Sequence, residues 1–141
     1  MRLPTGYFSA VQIVAYINET LGGASNQDDI DAVLRVLPKL IYDWRGLTDD
    51  ELAVAIAEPP LSGCPEFDAL FEGIVAYFFH IELRRNAPEW ASRTRLTRQW
   101  VARRSQVEKG GERLYFKIWQ NTPIEMLERG LLFSRSELTL L

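Results

Sequence analysis

The chain holds one cysteine and one histidine in 141 residues. A lone thiol, Cys64, cannot close an internal disulfide, and that fits a reducing compartment. One Cys and one His cannot furnish a Cys/His zinc set. Long apolar runs are also missing: none approaches the roughly 20 residues that span a bilayer. The opening Met1-Arg2-Leu3-Pro4-Thr5-Gly6 has no apolar stretch of the secretory type. The expected setting is therefore cytoplasmic, with no membrane partner. No glycine-rich phosphate loop occurs, because Gly22-Gly23 and Gly110-Gly111 are simple pairs without a following Lys-Ser/Thr. No Gly-x-Ser-x-Gly elbow occurs either. We expect no catalytic residue, no cofactor and no metal, and hence a chain that is not an enzyme.

What is present is an ordinary globular composition, 47% hydrophobic and 25% charged. A chain of this length buries roughly 68–70% of the surface its unfolded form exposes, so it needs no staple to fold. The reading is a mainly α, single compact helical domain over 1–141. It comprises an N-terminal helical pair (1–47) and a second part (48–141). At most a small β-hairpin or short sheet is expected near the C-terminus.

Phe8, Val11, Val14, Ile17 and Leu21 form a helical stripe over about 8–21. Gly22-Gly23 ends it, glycine readily taking the left-handed conformation. Ser25 or Asn26 can cap the next helix, and Asp28, Asp29 and Asp31 suit its positive end. Its stripe is Ile30, Val33, Leu34, Leu37, Leu40 and Ile41, with a kink or break at Pro38. Thr48-Asp49-Asp50-Glu51 is a capping box opening a helix over 49–57. Pro65 fits the first position of the longest helix, about 65–86, which is apolar on several sides and so central to the core. For 114–119, strand and helix remain equal alternatives. Thr122-Pro123-Ile124-Glu125 reads as a second capping box, with Gly130 ending that helix. Leu131-Leu132-Phe133 looks extended, and Ser134 to Glu137 can cap a last turn.

The net charge of −3 conceals a sharp division. Residues 1–83 hold 4 Lys/Arg against 13 Asp/Glu, and residues 84–117 hold 10 against 3. In the basic stretch, arginines interleave with tryptophans. The guanidinium fork suits carboxylates and phosphates, and Trp and Arg concentrate at interface hot spots. Trp90, Arg93, Arg98, Trp100, Arg103 and Arg104 are the candidate partner-binding residues. Three readings stand for this stretch: a protein-docking surface, a nucleic-acid surface, and a solvated helix face with its tryptophans in the core.

The remaining chemistry is sparse. His80, within Tyr77-Phe78-Phe79-His80, reads as a partly buried structural histidine. A Cys64–His80 dyad lacks an orienting third group. The clustered carboxylates at 28–31 and 49–51 fall at helix starts, where dipole compensation accounts for them without a metal.

The run Pro59-Pro60-Leu61-Ser62-Gly63-Cys64-Pro65-Glu66-Phe67-Asp68-Ala69-Leu70 opens a long helix. Pro88-Glu89-Trp90 follows, then Thr122-Pro123 through Arg129-Gly130-Leu131-Leu132-Phe133, and then Ser134-Arg135-Ser136-Glu137-Leu138. In this order, over about 52–138, these elements resemble the C-terminal module of bacterial helix-turn-helix antitoxin-like regulators. Members of that group are often encoded beside nucleotidyltransferase-type toxins. The resemblance implies a regulatory protein that neutralises such a toxin by contact, or alternatively a DNA-binding transcriptional regulator. Two features depart from the pattern. Cys64 stands where the group carries aspartate, and residues 1–47 show no clear helix-turn-helix.

Overall fold

In the computed structural model, residues 2–22, 27–101 and 117–138 are described. The chain is mainly helical, as its periodicity predicts. α1 spans Ala10–Leu21 and opens on a capping box that the sequence reading passed over. The Ser9 hydroxyl accepts from the Gln12 backbone N–H at 3.2 Å, while the Gln12 side chain accepts from the Ser9 N–H at 2.8 Å. That cap sets the phase of the helix. Ala10, Ile13, Val14, Ile17 and Leu21 are buried, whereas Phe8 and Val11, expected in the stripe, are each 43% exposed. Gly22 ends α1 with right-handed backbone, φ −74°, and not in the left-handed form; Gly23 lies outside the described residues.

α2 spans Gln27–Tyr42 and continues through Pro38, so the break expected there does not occur. The proline removes one backbone donor from the helix. Its neighbours Leu37, Ile41 and Tyr42 are all buried, and α2 packs on both α1 and the long helix α4 (Pro65–Phe78). Packing on both sides holds the helix together across the missing bond. The capping candidates Ser25 and Asn26 lie outside the described residues. A 3₁₀ turn, Asp43–Gly46, then buries Trp44, whose indole N–H donates to the Phe8 carbonyl at 2.8 Å. α3 spans Asp49–Ala55 and carries the expected capping box: Thr48 Oγ1 accepts from Glu51 N–H, and Glu51 Oε1 from Thr48 N–H.

α4 has Pro65 at its first turn, and every residue from Phe67 to Phe78 is buried. A helix buried all round must be central, as its composition predicts. Beyond Phe78 the chain tightens its grip differently. Phe79–Leu83 forms a π turn, closed by Arg84 in the left-handed region at φ 52°. The helical run therefore stops at Leu83, not at the expected 86. Arg84, not the approaching Pro88, ends it.

The C-terminal part adds short pieces. Residues 117–120 are helical; residues 114–116, which belong to the strand-or-helix question, lie outside the described residues. α5 spans Ile124–Leu127 with Pro123 at its N-cap. The capping box expected at Thr122 does not form, because the Thr122 hydroxyl donates instead to the Ile118 carbonyl at 2.6 Å. β1 (Trp100–Val101) and β2 (Leu131–Leu132) pair in parallel, with Trp100 opposite Leu131. The short sheet is therefore not a hairpin. α6 spans Arg135–Leu138, after the Ser134 expected to cap it. Buried residues from Ala10 to Leu138 join one cluster, so the N-terminal pair and the later module share a core. Among the described residues, no helix is long and apolar enough to cross a membrane.

Two outcomes follow. Gly130 sits at φ 81°, and an added Cβ would come within 3.1 Å of both the Leu96 Cβ and the Leu96 carbonyl oxygen. Gly130→Ala should cost about 1–3 kcal/mol, read as a lower urea midpoint. The Tyr42 hydroxyl is pushed well above the ordinary tyrosine range, chiefly by burial and then by Tyr77 and Glu82, against the pull of Arg45. The folded protein therefore holds this proton more tightly than the unfolded chain does. Its contribution is complete below about pH 10 and is lost as pH rises beyond that. Urea midpoints should fall above pH 10, and fall less steeply in Tyr42→Phe.

Candidate partner-binding face

α4 carries Glu66 and Asp68 in its first turn and one acid farther in among apolar neighbours, in Leu70-Phe71-Glu72-Gly73-Ile74. A charge in the middle of an all-round apolar helix has to meet partners or lose its charge. Glu72, fully buried, meets three donors from one stretch of chain. Its Oε1 accepts from the Thr94 backbone N–H at 2.8 Å; its Oε2 accepts from Arg93 Nε at 3.0 Å and from the Thr94 hydroxyl at 2.7 Å. Arg93 also donates to the Pro59 carbonyl at 2.6 Å.

These bonds pin the segment after Arg84 so that it runs back along α4. Trp90 stacks on Phe71, with centroids 5.8 Å apart and planes at 11°, and its indole N–H donates to the Ile56 carbonyl. Trp100 meets Phe67 edge-on at 5.1 Å. Arg85, at the start of the return, lies over the Phe79 ring at 5.6 Å. From Phe79 back to Phe67 the segment follows about 18 Å of helix, at 1.5 Å per residue.

A second buried cation completes the interior. Arg129 is 5% exposed and donates from Nε and Nη2 to the Ala91 carbonyl, and from Nη1 to the Glu125 carbonyl. Burial lowers its pKa, opposed first by Glu72. Gly73 makes room for this arrangement, since a Cβ there would lie 2.7 Å from Met126 Sδ and 3.4 Å from Arg129 Cδ. Glu125 reaches outward instead: its Oε1 lies 3.2 Å from Nδ1 of His80, whose side chain is 45% exposed. His80 is thus a surface partner of a buried acid, more open than its aromatic setting suggests.

The six residues expected to form one contact surface divide. Trp90 is 7% exposed and belongs to the core. Arg93 is exposed as a residue but directs its guanidinium onto the buried Glu72, so that donor is already committed inside the chain. Trp100 is half-buried against Phe67. Arg98 is exposed, while Arg103 and Arg104 lie outside the described residues. The face instead gains Arg84, Arg85 and Arg95, all exposed. They belong to the same basic stretch; what the sequence hides is which arginines the core claims. Glu72 was legible in principle, as a single charge in the apolar run Leu70 to Phe79.

Beside the start of the return lies a cleft of about 270 Å³, between α3 and residues 85–88, with Leu52, Ile56 and Phe79 among its walls. A larger, more apolar cleft of about 470 Å³ lies between α1 and α2, lined by Phe8, Ile13, Tyr16, Val36 and Leu40. Cys64 stands at the N-cap of α4 and His80 beyond its far end. Some 16 helical residues separate them by about 24 Å, so the dyad is not assembled. Among the described residues, no group of three or more His, Cys, Asp or Glu side chains could hold a metal ion.

Comparison with family models, with curated proteins and with solved structures finds no match to this chain. The likeness to antitoxin-like regulators thus rests on the quoted motifs alone.

Removing one member of a buried ion pair leaves the other unpaired and costs about 3–5 kcal/mol. Arg93→Met should therefore destabilise strongly in urea titrations. Pairing it with Glu72→Leu should restore much of the loss, since an apolar pair of similar volume replaces the ions. A double variant no more stable than Arg93→Met would show that the pair does not anchor the return.

Proposed function

We propose that the chain is a non-enzymatic, antitoxin-like regulator that acts by protein–protein contact. Its expected partner is a nucleotidyltransferase-type toxin encoded nearby, in keeping with the motif resemblance. The observation that carries the reading is how the basic stretch is used. The core takes Trp90 and part of Trp100, while Arg93 reaches in to pair with Glu72, and these contacts hold the segment along α4. Arg84, Arg85, Arg95 and Arg98 remain exposed along that same fixed path. A charged row held on a rigid backbone loses little freedom on binding, which favours a specific contact over a loose one. Occlusion of a partner's surface requires no chemistry from this chain.

The same arginines support DNA binding as the alternative, and the two readings separate by experiment. Charge reversal of Arg84, Arg85, Arg95 and Arg98 to Glu should weaken co-purification with the neighbouring gene's product at least 100-fold. The urea midpoint should stay near that of the wild type. Toxicity of that product should return in cells carrying the reversed variant. A gel shift on the chain's own promoter that weakens steeply with salt, together with no protein complex, would favour the nucleic-acid reading instead.

A further inference from the structure

The turn that ends α4 is built in an unusual way, and it sets one arginine beside an apolar hollow. Arg84 is the one non-glycine residue with positive φ among the described residues, at 52°. A bulky side chain there is uncommon and carries strain that the surrounding structure must hold. The preceding π turn, Phe79–Leu83, is a second irregular feature, of a kind frequent at functional sites. Two amide donors, those of Arg84 and Arg85, converge on the Phe79 carbonyl and hold the turn closed.

The result is specific. Arg85 is laid with its guanidinium over the face of Phe79, 5.6 Å from the ring centroid. Arg85 is exposed, and its guanidinium fork matches a carboxylate. Among the described residues, no acid lies within ion-pair distance of Arg85. Below the ring opens the cleft of about 270 Å³, with Leu52 and Ile56 of the α3 side forming its apolar floor. Arg85 and Asn86 line it from the returning segment, and Asp49 lines it from α3. The hollow thus has cationic and amide donors on one segment and an acceptor on the other, with apolar side chains also in its lining. Its volume suits one or two side chains and not a whole helix.

Building on the protein-contact reading above, we propose that this hollow is the anchor point for the partner. It takes a large apolar side chain of a protein segment, with an Asp or Glu of the same segment on the Arg85–Asn86 edge. The acid's position follows from charge. A negative group is drawn to Arg85 and repelled by Asp49, so the acid sits on the Arg85 side of the hollow. Arg95 and Arg98, farther along the row, meet further acids of the same surface.

The test is a display library of random octapeptides panned on the whole chain. The bound pool should be enriched in peptides with Leu, Ile, Phe or Met within two residues of Asp or Glu. A synthetic peptide from that pool, labelled with fluorescein, should bind Arg85→Glu at least tenfold more weakly in anisotropy titrations. Ile56→Asn, which makes the lining polar at a half-buried residue, should lose binding similarly. Because either change could unsettle the fold, each variant's urea midpoint is measured, and Glu89→Gln, exposed and outside the cleft, serves as the control that leaves binding unchanged. Enrichment of basic or purely polar peptides would overturn the proposal, as would binding insensitive to Arg85→Glu. Preference for a labelled 12-nucleotide single strand over every peptide would assign the edge to phosphate instead, which also overturns it. The two readings fail separately. A toxin complex unaffected by Arg85→Glu removes the anchor but keeps the contact function, while a selected acidic peptide without any toxin complex keeps the anchor and removes that partner.

Discussion

The Glu72 carboxylate, fully buried midway along the most apolar helix, governs how the second half is arranged. Glu72 cannot keep its charge in that position without donors, and α4 has none to give it. The donors come from Arg93 and Thr94, about 20 residues later, and supplying them folds the chain back along the helix. Trp90 and Trp100 then find the Phe71 and Phe67 rings, and Leu96 and Trp100 donate backbone bonds to the Arg129 and Gly130 carbonyls. Each of these contacts follows from the position that Glu72 imposes on its partners. The exposed arginines are exposed because the same constraint selects which of their neighbours go inside.

Buried ions are weak contributors to net stability, since desolvation cancels much of their attraction. Their value here lies in selecting one register. Apolar surface alone would let the 88–101 segment slide along α4, because one aromatic contact substitutes easily for another. A carboxylate with three donors at 2.7–3.0 Å admits one alignment. Arg129 acts similarly from the other side of the interior. It spends its donors on the carbonyls of Ala91 and Glu125 and so ties the C-terminal turn to the same segment.

Much of the fold was legible from periodicity and capping chemistry. The helices around 10–21, 27–42 and 49–55, the central helix from Pro65, and the extended Leu131-Leu132 follow from patterns visible in the residues. The misreadings were of phase and of competition. Of the stripe Phe8, Val11, Val14, Ile17 and Leu21, the last three are buried, while the three-residue spacing carries Phe8 and Val11 off the buried face, where Ala10 and Ile13 lie instead. Thr122 looks like a cap, yet its hydroxyl is claimed by a carbonyl in the preceding turn. Pro38 looks like a break, but packing on two faces holds α2 through it. The candidate face was half legible. Composition marks the basic stretch, while the division into inward and outward arginines depends on an acid elsewhere in the chain, and no local pattern encodes that.

The parallel pairing of β1 with β2 has a kinetic side. The two strands are only two residues each, and about 30 residues of chain intervene, so the loop between them must close before the pairing gains anything. A two-residue ladder cannot offset that closure alone. It can form only after the 88–101 segment is already seated on α4 and Arg129 has found Ala91. The bridge is thus the last latch of the fold and the first to open. The amide of Trp100, which donates to Gly130 at 2.8 Å, therefore exchanges with solvent ahead of the amides inside α4.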